Sequence, residues 1–262
     1  MTATALIDGP EDAPALLFLH GVGSDARVWA PQLLHFRPSY RCVAWTMPGF
    51  GDSPRLPAMT WDGMTEAVLE LLDVLEIEKA AIIGHSLGGM IAQHFGARHA
   101  DRLSALVLSG TSPSFGDPNG DWQKEWVRAR VEPLESGQKL VDLGPTMIRG
   151  MMGPNEPDAG GLTLALEALS VVSEKAFADA IRLTATFEGR AGLESLGAVP
   201  TLCLAGEHDG NAPAKMMARM AEKIPGARYV CLEGRGHLAN LEQPAAYNAA
   251  LESFFAQAGI AR

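Results

Sequence analysis

One serine in this 262-residue chain stands where a serine could attack a carbonyl carbon. It is Ser86, the centre of Gly84-His85-Ser86-Leu87-Gly88, a G-x-S-x-G pentapeptide. A serine hydroxyl is a weak nucleophile at neutral pH, so it needs a base to take its proton and a third group to orient that base. The pentapeptide follows the apolar run Ala81-Ile82-Ile83 and opens into Gly89–His99, which reads as a helix. A sharp strand-to-helix turn of this kind holds the hydroxyl out from the backbone. Strand and helix then pass so closely that a side chain two residues before or after Ser86 would collide, so both places take glycine.

Candidate partners follow much later in the chain. Asp209 lies in Gly206-Glu207-His208-Asp209-Gly210-Asn211-Ala212-Pro213, just after the strand-like run Thr201–Ala205. His237 lies in Glu233-Gly234-Arg235-Gly236-His237, just after Arg228–Leu232. The order nucleophile, acid, histidine suits a strand–helix alternation, and the carboxyl ends of parallel strands form the ligand crevice of an open sheet. A tetrahedral oxyanion also needs two backbone N–H donors. Leu87, next to the serine, would supply one, and Val22 in the loop His20-Gly21-Val22-Gly23 the other. Glu207 and His208 are read as bracing the loop or facing solvent, and His20 as a scaffold for the oxyanion loop. His85 is read as a packing residue, and His35, His94 and His99 as helix-surface residues.

The elements that must position these groups are legible as an alternation. Strand-like runs fall at Leu16–His20, Arg41–Thr46, Ala80–Gly84, Ala105–Ser109, Thr201–Ala205 and Arg228–Leu232, with helical patterns near Trp29–Phe36, Thr60–Leu75, Gly89–Arg98, Pro213–Ile224 and Pro244–Gln257. Near-continuous apolar strands separated by helices predict an α/β fold: a mostly parallel central sheet with helices on both faces. The segment before Leu16 has room for one short edge strand. Between Thr111 and Leu196 the alternation stops, with turn chemistry at Ser112-Pro113 and Gly116–Gly120 and a break at Gly153-Pro154-Asn155-Glu156-Pro157. Residues 113–196 are therefore expected to form a helical cap inserted into a core of residues 1–112 and 197–262.

The set Leu19-His20-Gly21, Pro48-Gly49-Phe50-Gly51-Asp52-Ser53, Gly84–Gly89, Gly206-x-x-Asp209-x-x-x-Pro213 and Gly236-His237 resembles the α/β-hydrolase superfamily over nearly the whole chain apart from the insertion. The resemblance implies Ser86, Asp209 and His237 as a catalytic triad and Val22 and Leu87 as oxyanion donors. The tail His237-Leu-Ala-Asn-Leu-Glu-Gln-Pro244 is similar to the serine esterase and oxoadipate enol-lactonase branch. One departure is Thr46, where the family often carries aspartate; that position supports the Pro-Gly loop. The activity implied is cleavage of a small, largely apolar carboxylic ester or lactone through an acyl-enzyme. Two alternatives stay open: an enol-lactonase or carbon–carbon bond hydrolase of aromatic degradation, and a non-catalytic small-ligand receptor on the same scaffold.

Composition narrows the partners. A net charge of −10 argues against nucleic acid or an anionic membrane surface, and no run of about 18 apolar residues suggests a membrane span. The opening Met1–Asp8 lacks the basic and apolar regions of a signal peptide. Cys42, Cys203 and Cys231, each in an apolar run, are expected as buried, reduced thiols of a cytoplasmic protein. The histidines have no metal-like spacing and the glycine-rich loops are not phosphate loops, so neither metal nor cofactor is implied. A small molecule is the expected partner, and a homo-oligomer is left open. In the insertion, which holds 8 Lys/Arg against 13 Asp/Glu, Trp126, Met147 and Met151 are candidate substrate contacts. Arg149 is the candidate cation for an anionic substrate.

Overall fold

The computed structural model describes residues 4–155, 157 and 160–260; Met1–Ala3 of the opening segment and Glu156 of the 153–157 break lie outside them. Strands β1 (Ala5–Asp8), β2 (Ala15–Leu19), β3 (Arg41–Trp45), β4 (Ala80–His85), β5 (Leu103–Ser109), β6 (Thr201–Gly206) and β7 (Arg228–Leu232) form a single sheet in the order β1-β3-β2-β4-β5-β6-β7. Only β1, the short edge strand, pairs antiparallel. Every residue of β2, β4 and β6 is buried, as an apolar run covered on both faces requires.

Helices α1 (Ala30–Phe36), α2 (Trp61–Val74) and α3 (Leu87–Gly96) follow the early strands. The stretch between β5 and β6 carries α4 (Asp121–Glu135), α5 (Leu140–Arg149), α6 (Gly161–Ser170) and α7 (Glu174–Thr184). Then come α8 (Ala214–Ala221), the one-turn α9 (Ala239–Glu242) and α10 (Pro244–Ala258). Helices begin where the chain supplies a cap or a fixed φ: the hydroxyls of Thr60 and Ser173 accept from Gly63 and Ala176, and Pro244 opens α10.

Strand order reverses between β2 and β4, because the chain steps outward from β2 to β3 and then returns to the other side of β2. The pairing Leu19↔Gly84 brings both strands to an end together at this switch point. Residues just beyond them, and beyond β5, β6 and β7, therefore share one edge.

One sequence expectation needs correction. Cys42 and Cys203 are free and buried, but Cys231 is exposed. It lies on β7, an edge strand whose alternate residues Tyr229 and Cys231 turn to solvent. Among the described residues no helix is long and apolar enough to cross a membrane.

Candidate active site

Ser86 sits at the turn between β4 and α3 with φ 54° and ψ −118°, a conformation that L-residues rarely adopt. Such a residue stores strain of order 1–3 kcal/mol, which the surrounding structure must offset. Here its N–H donates to the Ser109 carbonyl at 3.0 Å, and the Thr111 hydroxyl donates to its own carbonyl at 2.8 Å. A side-chain carbon at Gly84 would run into the Gly88 carbonyl, and one at Gly88 into the carbonyls of Leu19 and His20. Because those obstacles are backbone, Gly84→Ala is expected to cost roughly 3 kcal/mol or more. Urea unfolding would check this, and an unchanged midpoint would contradict the close crossing.

His237 Nδ1 lies 2.8 Å from Asp209 Oδ2, both side chains almost wholly buried. The other carboxyl oxygen accepts the N–H groups of Asn211 and Ala212, each at 2.8 Å. Burial pushes the Asp209 carboxyl up, but the His237 charge and hydrogen bond, with those two N–H donors, hold it below the usual carboxylate range. A carboxylate can only accept, so His237 Nδ1 carries the hydrogen and Nε2 is left as the basic nitrogen.

Serine and Asp–His pair meet across the loop after β5. Ser109 accepts from Ser86, while a side-chain carbon on the next residue, Gly110, would lie 3.2 Å from Asp209 Oδ2 and 3.3 Å from His237 Nδ1. His85 makes a second connection: its Nε2–H donates to the His237 carbonyl at 2.8 Å, and the two rings lie 4.7 Å apart. Burial, then the neighbouring His237, lowers His85 to about 3, so it is neutral here. The Ser86 hydroxyl itself makes no hydrogen bond among the described residues. A nucleophile–base bond that tightens only with substrate present is common in empty sites.

The loop after β2 completes the edge. A carbon on Gly21 would touch the Ser86 Cβ at 3.0 Å. The N–H groups of Val22 and Leu87 find no acceptor among the described residues, leaving both available to a ligand oxygen. His20 braces this loop: its Nδ1–H donates to the Gly21 carbonyl at 2.8 Å while Nε2 accepts from the Met47 N–H at 3.0 Å. Burial lowers it to about 4, which keeps the ring neutral and able to do both. Thr46 supports the neighbouring Pro-Gly loop, its hydroxyl accepting from Ala26 and its carbonyl from Ser53.

A strand order with this switch point, and an apolar strand delivering a strained serine, match a known pattern. A model of the alpha/beta hydrolase family covers residues 16–250. The chain belongs to the alpha/beta hydrolase family. Among relatives, 3-oxoadipate enol-lactonase 1 of Acinetobacter baylyi is 28% identical over 93% of this chain and 89% of its own length. A pimeloyl-[acyl-carrier protein] methyl ester esterase of Klebsiella pneumoniae is 30% identical over 88% and 90%. The crystal structure of the enol-lactonase from Burkholderia xenovorans superposes with a TM-score of 0.85 at 26% identity, covering 97% of this chain and 96% of that one.

Trp126, Met147 and Met151, the expected substrate contacts, are partly buried side chains of the insertion packed against the core. Met151 reaches the histidine through its carbonyl, which accepts the His237 N–H at 2.7 Å. Trp126 meets Phe115 edge to face with ring centroids 4.5 Å apart and carries Arg130 4.1 Å above its ring. Met147 is half-buried on α5, Arg149 is exposed at that helix's last turn, and Arg130 on α4 is half-buried. His94 also departs from expectation: it is half-buried, bonded to the Thr65 hydroxyl at 2.7 Å. Glu207 accepts from Gly234 at 2.8 Å, bracing the histidine loop.

Two residues escaped the sequence reading. His85, expected only to pack, holds the His237 backbone. Glu242 is fully buried, and its carboxylate accepts from the N–H groups of Gly153, Gly236 and Leu238. Its signal in the sequence was faint: an acid five residues beyond the histidine, within a run too short to show a helical period.

Proposed function

We propose that this hydrolase-family protein is a serine hydrolase of small, largely apolar carboxylic esters or lactones. The observation that carries the reading is the buried His237–Asp209 pair at 2.8 Å, placed across Gly110 from the strained Ser86 turn. His237 Nε2 takes the Ser86 proton as the hydroxyl oxygen bonds to the carbonyl carbon. The resulting oxyanion is met by the N–H groups of Val22 and Leu87, each worth roughly 3–4 kcal/mol in the transition state. Collapse breaks the bond to the leaving oxygen, which receives the proton from His237. Water, deprotonated by the same nitrogen, then bonds to the acyl carbon; the bond to Ser86 Oγ breaks as His237 returns the proton to that oxygen, and the acid is released. Asp209 keeps the imidazole tautomer and stabilises its charged form. Residues 113–196 act as a cap, and Leu169 and Phe177 from this segment lie against the oxyanion loop at Gly23.

A second reading, an anionic lactone as substrate, is favoured by one observation. Arg130 is half-buried on α4 over Trp126, with its only hydrogen bond among the described residues going to the Trp126 carbonyl and no carboxylate beside it. An uncompensated, partly desolvated guanidinium is suited to a carboxylate, and enol-lactonases stand among the relatives. The setting proposed is the cytoplasm, in keeping with the unpaired Cys42 and Cys203, whose thiols burial pushes up to about 12.

A fluorophosphonate probe is expected to label Ser86 stoichiometrically, and mass spectrometry of the labelled peptide locates it. Folded protein that takes no label would end the serine-hydrolase reading. Turnover of neutral short-chain esters set beside an anionic lactone decides the substrate class; cleavage of the lactone alone would replace the ester reading.

A further inference from the structure

Three consecutive N–H groups around the base all donate to acceptors outside their own loop. His237 itself donates to the Met151 carbonyl at 2.7 Å. Its neighbours Gly236 and Leu238 donate to Glu242: Gly236 at 3.0 Å to both oxygens, Leu238 at 3.1 Å to Oε1. The second oxygen of Glu242 also accepts the Gly153 N–H at 2.8 Å. One carboxylate thus bridges the histidine loop to the segment leaving α5 in the insertion. The Gly236 backbone is pressed so closely against Met151–Gly153 that a side-chain carbon there would strike the Met151 carbonyl and the Gly153 nitrogen.

Burying a carboxylate is costly unless hydrogen bonds replace the lost water. Glu242 has no exposed surface, and no Lys, Arg or His pairs with it among the described residues. The backbone donors are what offset its desolvation, and charge-assisted bonds of this type are the stronger ones. The one-turn α9 is what brings the side chain back beneath residues 236–238.

We propose that Glu242 is a positioning residue for His237 and couples it to the insertion, so that the base is correctly placed only when Met151–Gly153 is seated. This rests on the hydrolase reading above. Nothing in it requires Glu242 to touch substrate. Its effect passes through the backbone on either side of the imidazole.

Glu242→Gln tests it with nearly unchanged volume. The amide keeps one accepting oxygen and turns N–H hydrogens toward the donors the other oxygen held. Whichever way it lies, it opposes the N–H of Gly236 and either Leu238 or Gly153. A displacement of the base by about 1 Å costs on the order of 10²-fold in rate. With a neutral short-chain ester, kcat is expected to fall about 10–100-fold while KM stays within about threefold. The low-field proton resonance of the His237–Asp209 hydrogen bond is expected to shift or broaden. If kcat per folded molecule stays within twofold and the resonance is unmoved, even with a lowered melting temperature, the residue only stabilises the fold and the proposal fails.

Should the variant not fold, hydrogen exchange in the wild type decides. The amides of Gly153, Gly236 and Leu238 are expected to be protected alike and to open together; fast, independent exchange at Gly153 would overturn the coupling. The resonance and the exchange data need no turnover. A wild type that cleaves no ester or lactone and takes no fluorophosphonate would sink the hydrolase reading while leaving the clamp to be judged by them.

Discussion

Ser86→Ala is expected to lower kcat for the best ester by about 10⁵–10⁶-fold with the fold intact, the scale on which loss of a serine nucleophile removes the covalent route. The substitution deletes one oxygen that makes no hydrogen bond among the described residues, so its structural cost is small. The turn keeps its two backbone restraints, from the Ser109 carbonyl and the Thr111 hydroxyl. On the proposed mechanism the residual rate would come from the N–H groups of Val22 and Leu87 and from substrate binding. Single-turnover kinetics on the purified variant would measure it. A variant that retains a tenth of wild-type turnover would mean that Ser86 is not the nucleophile. Tight ligand binding that never led to product, even in the wild type, would point to the receptor alternative.

Asp209→Asn is expected to lower kcat by about 10⁴-fold through the tautomer of His237. The geometry decides how the amide must lie. Asp209 Oδ1 accepts two N–H groups, from Asn211 and Ala212, and only an oxygen can sit there. An asparagine would keep its carbonyl in that place and present its NH₂ to His237 Nδ1. That nitrogen would then have to accept, moving the ring hydrogen to Nε2, where it faces the serine and cannot take its proton. The folded structure should barely change, because the number of hydrogen bonds is conserved. The rate at neutral pH and the ring tautomer by nitrogen NMR test this together; an unchanged tautomer with an unchanged rate would remove Asp209 from the mechanism.

Much of the architecture is legible because burial writes itself into the sequence. Strands such as Leu16–Leu19 and Ala80–Ile83 are covered on both faces and must be apolar throughout, so β2 and β4 stand out without any alignment. Gly84 and Gly88 are legible for a different reason, since only a hydrogen fits where two backbones cross. The Asp209 and His237 loops follow from strand ends, which any parallel sheet gathers at one edge. The contacts that hold His237 were far less visible. A side chain bonding to backbone N–H groups has no periodicity and no required spacing, so Glu242 is legible only as one residue of the tail His237 to Pro244 that carries the family resemblance, with no role attached. His85 was misjudged for a similar reason: an imidazole beside a nucleophile can pack or donate, and only the position of a carbonyl 152 residues away settles which. Cys231 shows the reverse failure, because an apolar run at a sheet edge looks like one at its centre. The sequence says least about which side chains line a substrate site. Trp126, Met147 and Met151 share a segment, yet their directions depend on how α4 and α5 pack, which helical period alone does not give.

The sheet order carries a consequence for how the protein is made. Ser86 lies at the turn just after the fourth strand, whereas Asp209 and His237, its proposed acid and base, lie on loops after the sixth and seventh, with the five helices α3 to α7 before the first of them. A chain emerging from the ribosome therefore displays the hydroxyl well before either partner has been translated. During that interval the serine is an ordinary alcohol, inert toward cellular esters. On the proposed mechanism, activity would appear only once β7 and the loop that follows it have been made and docked.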